Sequence, residues 1–581
     1  MKKSFCLLML WVAMFMLPAW AQNNDPVLMT VGSETVTKSD FIKAYQKNSM
    51  LSEATETDLR DYLRLYSDYR MKVQEAKFMK LDTARVFQRE WESYKLQYAQ
   101  QYLIDTEVSD QLLEETTERA RYQVRASHLL IMIPDDASPK DTLAAYHKIM
   151  KIRDEIMNGL DFNEAAVRYS EDQSAKDHIN PQTRRTQYGN RGDLGYFSVL
   201  EMIYPFETAA YSTPVGQISM PVRTQFGYHL VYVQDKIPAV AKLYVSQIFF
   251  KDTSALNRNV NHEDFIKRSA LVKQKFQQGE SFDSLAAKFS EDVATKNNGG
   301  RMEPFAPNRR PGNYVNAALN LKQGEISDPI PSSIGWHILR LDSVIYTTVN
   351  DEFQYMIKNR LARDPRSKKS KESLVEKLKV EYNYQEPGKA AAMKFFKKNM
   401  ADNYFQSKHV AADSLKGIEK LKPMCTYANQ TITAREFGKY LSRYQGAQLK
   451  GSMASFLEQV FPGFVGENIL HYESTQLMTK YPEYRDVVNE VYDGLMIYEI
   501  NSVKVWNAAI EDSVGTQRFY EQIKSQFATG DTLNPYKPFE EVRAVVISQY
   551  QDKLEKEWVE ELHRKYPVKI DEEVFRSILK K

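Results

Sequence analysis

Cysteine, net charge and long apolar stretches are all scarce in this sequence, and each scarcity excludes a class of protein. Only Cys6 and Cys425 occur in 581 residues, whereas a disulfide-rich secreted scaffold needs many more cysteines. The 78 basic and 76 acidic residues give a net charge of +2, whereas nucleic-acid-binding proteins carry a marked basic excess. After the first 21 residues, no stretch is long and apolar enough to predict a transmembrane helix. We therefore expect neither nucleic acid as a partner nor stable membrane insertion.

The one apolar run lies at the start of the chain. Lys2 and Lys3 precede an apolar segment at 5–17, and small residues flank Trp20 in the motif AWA. This layout is typical of a secretory signal peptide, and the run is too short to span a bilayer. We predict that residues 1–21 are cleaved and that the soluble protein resides in the periplasm. The alternative at this point is a retained membrane anchor.

Two segments in the middle of the chain repeat the same motifs in the same order. Residues 127–235 contain SHLLIMI, SED, GDLGYF and FGYHLVYV, and residues 246–342 contain SQIFFKD, SED, GGRMEPF and IGWHILRL. Repetition at this length predicts two copies of one structural module. Each copy has a β-branched strand, segments with helical spacing and two closing strands, so we expect small antiparallel sheets covered by helices.

A second, weaker repeat relates the two ends of the chain. LMTVGSETVTKSDFIKAYQ at 28–46 reappears as MCTYANQTITAREFGKYLS at 424–442, and each copy predicts a strand pair followed by a helix capped by threonine. Long helical stretches follow both copies, so we predict one helical domain built from both ends of an α+β multidomain protein. The predicted segments are a signal peptide 1–21, an N-terminal helical segment 22–120, module one 121–237, module two 238–345, a helical connector 346–422 and a C-terminal helical segment 423–581.

Five ordered motifs resemble the parvulin family of peptidyl-prolyl isomerases: SHLLI, SED, GDLGYFS, the run from Gly216 to Val222, and FGYH. The resemblance covers about residues 120–343, and the whole layout is similar to periplasmic chaperones that carry such modules. It implies isomerisation of X-Pro peptide bonds. This reaction breaks no bond, so it requires an apolar socket and a polar environment for the twisted amide, but no nucleophile, metal or cofactor. We expect no cofactor and no metal.

In module one, the resemblance implies two groups of site residues. The catalytic group is His128, Asp172, Thr224 and His229, and the apolar socket is Leu194, Phe197, Met202 and Phe206. Two histidines on neighbouring strands can share a hydrogen bond and fix each other's tautomers. Asp172 is expected to act electrostatically. The acidic segment IPDDASPKD makes a preference for phosphoserine unexpected.

Module two departs from this pattern. A glutamine replaces the first histidine, and GRME replaces GDLG. The corresponding residues are Gln247, Asp292, Phe305, Tyr314, Ser332 and His337. Because one histidine of the pair is lost, we expect this module to be a weak or inactive isomerase that serves as a peptide-binding platform.

Several alternatives remain open at the level of sequence. Histidines on strands are often hydrogen-bonded core residues, and the socket aromatics alone would be ordinary core. The tyrosines of 58–104 fit either helix packing or a groove that grips peptides, and the run 366–371 (RSKKSK) is expected to be a solvated face. The favoured function is an isomerase and chaperone for unfolded, proline-containing clients, with outer-membrane proteins expected by analogy. The alternatives are a non-catalytic holdase with vestigial modules and a purely structural envelope protein, and the oligomeric state stays undefined.

Overall fold

The computed structural model describes residues 25–47, 50–134, 137–179, 186–187, 189–251, 262–332, 334–406, 411–449, 451–531 and 533–579. The predicted signal peptide at 1–21 lies outside the described residues. The chain divides into two compact units, the first made of Met1–Gln100 with Ser474–Lys581 and the second of Gln101–Glu473. Within the described ranges, no helix combines the length and the apolar character that crossing a membrane requires.

The first unit joins both ends of the chain through a small sheet. Strand Val27–Val31 lies between Glu34–Thr37 and Val568–Ile570, and both pairings are antiparallel, with Met29 opposite Ile570. Thr37 caps the following helix in a capping box with Asp40, as the sequence predicts. The helices of this unit are Lys38–Gln46, Glu56–Phe78, Arg85–Ala99, Pro482–Asn501, Asn507–Glu511, Ser513–Ile523, Phe539–Lys565 and Glu572–Leu579.

Apolar residues from both chain ends share one core in this unit. Phe41, Leu59 and Met71 from the N-terminal part pack with Met496 and Phe575 from the C-terminal part. All five side chains are at most 1% exposed, so neither segment could bury its apolar face alone. The prediction of a helical domain built from both ends of the chain is therefore confirmed.

Module one has a four-stranded antiparallel sheet. The strand order is Asp193–Phe197, Tyr122–Met132, Gly227–Pro238 and Val222–Thr224. Its alternating side chains separate two apolar clusters, one under the helices Pro139–Met157 and Phe162–Tyr169 and the other under Tyr204–Ser212. The long central pairing places His128 and His229, which lie on adjacent strands, close together.

Module two repeats this plan with a reduced sheet. Its strands are ordered Ile330–Ser332, Gly335–Tyr346 and Val240–Lys251. Isolated bridges from Leu243 to Phe305 and from Ser246 to Arg301 stand where module one has the strand Asp193–Phe197. The helices of module two are His262–Gln277, Phe282–Phe289 and Gly312–Leu319. The predicted pair of antiparallel modules is thus confirmed.

The remainder of the second unit is helical and has its own core. Its helices are Thr106–Arg119, Asp351–Arg363, Lys368–Glu381, Lys389–Asn399, Ala434–Leu441 and Met453–Lys480. The strand pair Cys425–Tyr427 and Gln430–Ile432 packs with these helices, because Cys425 and Phe437 share a buried cluster with Phe396. The boundary between the two compact units therefore lies after Glu473, whereas the predicted C-terminal helical segment begins at residue 423.

One surface prediction is wrong. Arg366, at the start of the run predicted to be a solvated face, is 3% exposed. Its guanidinium donates to both carboxylate oxygens of Glu207 in module one, at 2.7 and 2.8 Å, and to Asp364 at 2.8 Å. Lys368 and Lys369 are exposed as expected. The lysine-rich surroundings of Arg366 predict that it is exposed. It is buried because its partner Glu207, which lies 159 residues away in the sequence, is buried.

Candidate active site

The SED motif of module one is fastened to the first strand by hydrogen bonds. The Ser170 hydroxyl accepts the Leu130 amide at 3.2 Å and the Asp172 amide at 3.3 Å. The Glu171 amide donates to the Leu130 carbonyl at 2.8 Å, and a Glu171 carboxylate oxygen accepts the Met132 amide at 2.7 Å. These bonds place the Asp172 carboxylate beside the strand that carries His128.

A glycine allows a second loop to approach the same strand. The His128 amide donates to the Gly192 carbonyl at 2.8 Å. Gly192 has a φ of +87°, and a Cβ there would lie 2.7 Å from the His128 carbonyl oxygen. Any other residue would therefore combine a strained backbone with a clash. In module two, Gly300 approaches Gln247 in the same way, which explains why the first glycine of GDLG persists there.

Four side chains of module one form a continuous hydrogen-bonded chain. The Asp172 carboxylate lies 2.9 Å from His128 Nε2, and Nδ1 of His128 lies 3.4 Å from Nδ1 of His229. His229 Nε2 lies 2.8 Å from the Thr224 hydroxyl oxygen, which also accepts the Phe226 amide at 3.1 Å. The structure thus brings together all four residues that the sequence assigns to the catalytic group.

The hydrogen bonds of this chain have one direction when both imidazole rings are neutral. An ionised carboxylate can only accept, so His128 carries its proton on Nε2 and accepts through Nδ1. His229 must then donate from Nδ1, which leaves its Nε2 as the acceptor for the Thr224 hydroxyl. Each group therefore fixes the tautomer of the next, and this assignment follows from the network.

The electrostatics of the chain agree with this direction. The hydrogen bond from His128 holds the pKa of the Asp172 carboxyl well below its usual range. Burial, reinforced by His128 and Arg223, lowers the pKa of His229 to about 4. His229 is therefore a neutral ring at neutral pH. Asp172 accepts from His128 through one oxygen and from the Ser174 amide through the other, so its carboxylate is engaged in positioning.

The predicted socket residues divide into a buried pair and a half-buried pair. Phe206 is 3% exposed and lies edge-on to both rings, with centroid distances of 5.8 Å to His128 and 5.4 Å to His229. Phe197 is equally buried, with its ring centroid 6.3 Å from that of Phe206. Leu194 and Met202 are half-buried. Phe197 and Phe206 therefore belong to the core of the module, and Leu194 and Met202 form the accessible surface of the socket.

The accessible side of this socket opens into a cavity of about 410 Å³ between the modules. Leu194, Phe197 and Met202 form one wall, and Pro307 and Arg310 of module two contribute to the opposite wall. Phe206 lies outside the lining of the cavity, beside the histidines. Phe206 connects this apolar surface to the hydrogen-bonded chain, because its ring packs against Phe197 on one side and the two histidines on the other.

The corresponding residues of module two also lie together. His337 packs against Phe249 with centroids 4.9 Å apart, and the Tyr314 ring lies edge-on to it at 5.5 Å. Phe305 is buried beside Tyr314. Gln247, Asp292 and Ser332 are hydrogen-bonded neighbours of the histidine or of one another. All six residues named from the sequence therefore belong to one site.

Some residues that were not predicted from the sequence support the site without lining it. Ser170 and Glu171 fasten Asp172 to the first strand, and Ser290 and Glu291 make the same bonds to Phe249 and Lys251 in module two. The signal was present, because the complete SED triplet recurs in both copies whereas only its aspartate was assigned a role. A triplet repeated intact indicates that all three residues are structurally required.

Family models match both modules. Residues 111–237 and residues 248–343 each match a PPIC-type PPIase domain. The chain thus contains two domains of the peptidyl-prolyl isomerase type in tandem, as the repeat predicts. Within these matches lie the two hydrogen-bonded sites described above.

Whole proteins with similar sequences are chaperones by name. The chain is 27% identical over 258 residues to Chaperone SurA of Nitrosococcus oceani, across 43% of this chain and 56% of that protein. It is 25% identical to Chaperone SurA of Pseudomonas aeruginosa, across 53% of this chain and 69% of that one. The chain therefore spans little more than half the length of the first relative.

Some solved structures that align with parts of this chain are isomerases by title. The peptidylprolyl isomerase PrsA of Bacillus cereus aligns with 61% of this chain and 92% of its own, at 16% identity and a TM-score of 0.20. The parvulin domain of PpiD from E. coli aligns with 18% of this chain and 89% of its own, at 28% identity and a TM-score of 0.15.

Proposed function

We propose that this protein, which carries two PPIC-type PPIase domains, is a peptidyl-prolyl isomerase and folding chaperone for unfolded polypeptides in the periplasm. The hydrogen-bonded chain of Asp172, His128, His229 and Thr224 beside an apolar surface is the observation that carries the isomerase activity. The predicted signal peptide at 1–21 supports export, and the SurA relatives support chaperone function. Outer-membrane proteins in transit are the proposed clients.

The proposed mechanism uses positioning and electrostatics. Rotation about an X-Pro bond crosses a barrier of about 18–20 kcal/mol, because the planar amide is stabilised by resonance. An apolar surface formed by Leu194 and Met202 would hold the proline ring while the preceding residue rotates. The fixed polar groups of the chain would then favour the twisted amide over the planar one, without reorganising during the reaction. Asp172 orients the histidines through His128 and attacks no carbon atom.

The direct test is catalysis of prolyl isomerisation by the full chain that lacks residues 1–21. We expect acceleration of the cis-to-trans step of a short X-Pro peptide, measured by NMR exchange or by a conformation-specific protease. Unaided isomerisation takes about tens to hundreds of seconds, so even modest catalysis is measurable. A rate equal to background at micromolar protein would exclude the isomerase activity and leave the holdase function as the conclusion.

A groove in the first unit favours a holdase function as a second candidate. The groove has a volume of about 920 Å³ and is lined in part by Tyr62, Tyr66 and Tyr69. These half-buried rings follow one face of helix Glu56–Phe78 and stack in sequence, with centroid distances of 6.2 and 5.9 Å. Tyr62 also packs against the buried Phe41, so this face serves both the core and the groove.

Removal of two groove tyrosines should weaken capture of unfolded chains. We expect Tyr66→Ala/Tyr69→Ala to suppress aggregation of a denatured β-barrel protein less well, because aromatic contact area in the groove is lost. Light scattering during dilution of the client measures the effect. The matched control is Tyr94→Ala/Tyr98→Ala, which removes two tyrosines from the exposed face of helix Arg85–Ala99. Equal loss of suppression in both double variants would contradict a specific groove.

A further inference from the structure

Module two keeps a hydrogen-bonded chain although its first histidine is missing. Gln247 Nε2 lies 2.8 Å from an Asp292 carboxylate oxygen, and Gln247 Oε1 lies 3.1 Å from His337 Nδ1. His337 Nε2 lies 2.9 Å from the Ser332 hydroxyl oxygen, which accepts the Ile334 amide at 3.3 Å. The order of carboxylate, bridging side chain, histidine and hydroxyl is the order found in module one.

The bridging amide has the same polarity as the imidazole it replaces. In module one, His128 donates from Nε2 to a carboxylate and accepts through Nδ1. In module two, Gln247 donates from its NH2 group to a carboxylate and accepts through its carbonyl oxygen. The opposite amide orientation would direct the carbonyl oxygen at the acceptor-only carboxylate of Asp292. The chemistry of the neighbours therefore fixes the amide.

This polarity fixes the tautomer of His337. Because Gln247 offers an oxygen, His337 must donate from Nδ1, which leaves its Nε2 unprotonated beside the Ser332 hydroxyl. That hydroxyl has one hydrogen, for which His337 Nε2 and the Gly335 carbonyl oxygen, both at 2.9 Å, compete. His229 of module one has the same tautomer, and its Nε2 bonds to the Thr224 hydroxyl in the same way. Tyr314 also donates to the Gln247 oxygen, at 3.4 Å, and lies edge-on to His337, where Phe206 lies beside His229. Both modules thus present the same neutral histidine against an aromatic ring.

We propose that module two is a second prolyl isomerase site, in which Gln247 is the positioning residue that sets the tautomer of His337. The inference rests on the proposed isomerase function and replaces the expectation of a weak or inactive module. Gln247, His337 and Tyr314 are similarly buried, at 8%, 7% and 5% exposed, so the half-buried Met302 is the side chain of this cluster that substrate would reach first. Gln247 would act on the reaction only through His337.

The test requires a full chain in which module one is inactive. We define the module-one-silent chain as His128→Leu/His229→Phe, because apolar side chains of similar size preserve a buried site best. Its catalysis of X-Pro peptide isomerisation should remain measurable. Addition of Gln247→Leu should lower kcat/KM by about tenfold or more, an effect of the size seen when the group that orients a metal-bound histidine is removed. Addition of Gln247→His instead should retain activity, because it rebuilds the arrangement of module one.

A spectroscopic measurement separates positioning from packing. With 15N-labelled histidine, His337 should show the Nδ1-protonated tautomer in the wild-type chain and lose that preference in Gln247→Leu. Background activity of the module-one-silent chain, with an active wild type, would overturn this inference and leave the proposed function standing. Background activity of the wild type would remove both. Full activity and an unchanged His337 tautomer in Gln247→Leu would show that Gln247 only fills space, because leucine keeps its volume but has no hydrogen-bonding group.

Discussion

Replacement of Asp172 by alanine is expected to lower the isomerase activity of module one by about tenfold or more, an effect of the size seen when the group that orients a metal-bound histidine is removed. The carboxylate is the only acceptor for His128 Nε2–H that the described residues provide. Without it, His128 can shift its proton to Nδ1, and the direction of the bond to His229 is lost. The Thr224 hydroxyl then faces a histidine whose tautomer is no longer defined.

The serial arrangement makes this prediction specific. Asp172→Ala and His128→Leu interrupt the same chain, so the double variant should be no slower than the slower single variant. Independent contributions would multiply, whereas residues that act as one unit are strongly non-additive. The measurement is kcat/KM for an X-Pro peptide in a full chain whose module two carries Gln247→Leu/His337→Phe. That background confines the observed rate to module one.

The control for this series is an acidic residue of the same module outside the site. Asp154 is exposed on helix Pro139–Met157, so Asp154→Asn should leave the rate unchanged. An intermediate effect is expected for Asp172→Asn, because an asparagine oxygen can still accept from His128 but carries no charge. Multiplying effects in the double variant, or an unchanged rate in Asp172→Ala, would contradict the positioning role of the carboxylate.

The sequence predicts the modules well because their signals are repeated and local. Strand patterning, the SED triplet and the first glycine of GDLG and GRME occur twice. Each of them corresponds to a hydrogen bond or a close approach in the structure. The joining of both chain ends was predicted from the repeat of 28–46 at 424–442, but the second copy lies in the other unit, and the strand that pairs with Val27–Val31 is Val568–Ile570. Thr37 and Thr433 both form the capping boxes that this spacing indicates.

Which group donates and which accepts in a buried hydrogen bond was not predictable from residue type. Substitution of histidine by glutamine at position 247 indicates loss of a titratable ring when only the sequence is known. The distances to Asp292 and His337 show that an amide supplies one donor and one acceptor at the required ends. The meaning of such a substitution depends on the partners, which come from other strands and loops.

The burial of Arg366 was unpredictable for a related reason, and it leads to the largest stability effect that we expect. Glu207 is fully buried and accepts from Arg366, from Arg119 at 2.9 Å and from the Leu200 amide at 2.7 Å. Arg366→Ala removes one donor from each carboxylate oxygen while Glu207 stays buried, so that Arg119 and the Leu200 amide are its remaining donors. Breaking one side of a buried ion pair costs about 3–5 kcal/mol, much more than removing an exposed pair.

This ion pair joins the helical connector to module one, so its loss should destabilise both. We expect Arg366→Ala to lower the urea midpoint and to accelerate hydrogen exchange in strand Gly227–Pro238, which mass spectrometry can follow by peptide. Arg363→Ala is the matched control, because Arg363 is an exposed arginine three positions earlier and surface substitutions change stability by about 0.5 kcal/mol or less. Arg366→Met/Glu207→Leu should recover part of the loss, since no unpaired carboxylate remains buried. Equal midpoints for Arg366→Ala and Arg363→Ala would show that Arg119 alone satisfies Glu207, and the connector would then contribute nothing to the stability of module one through this pair.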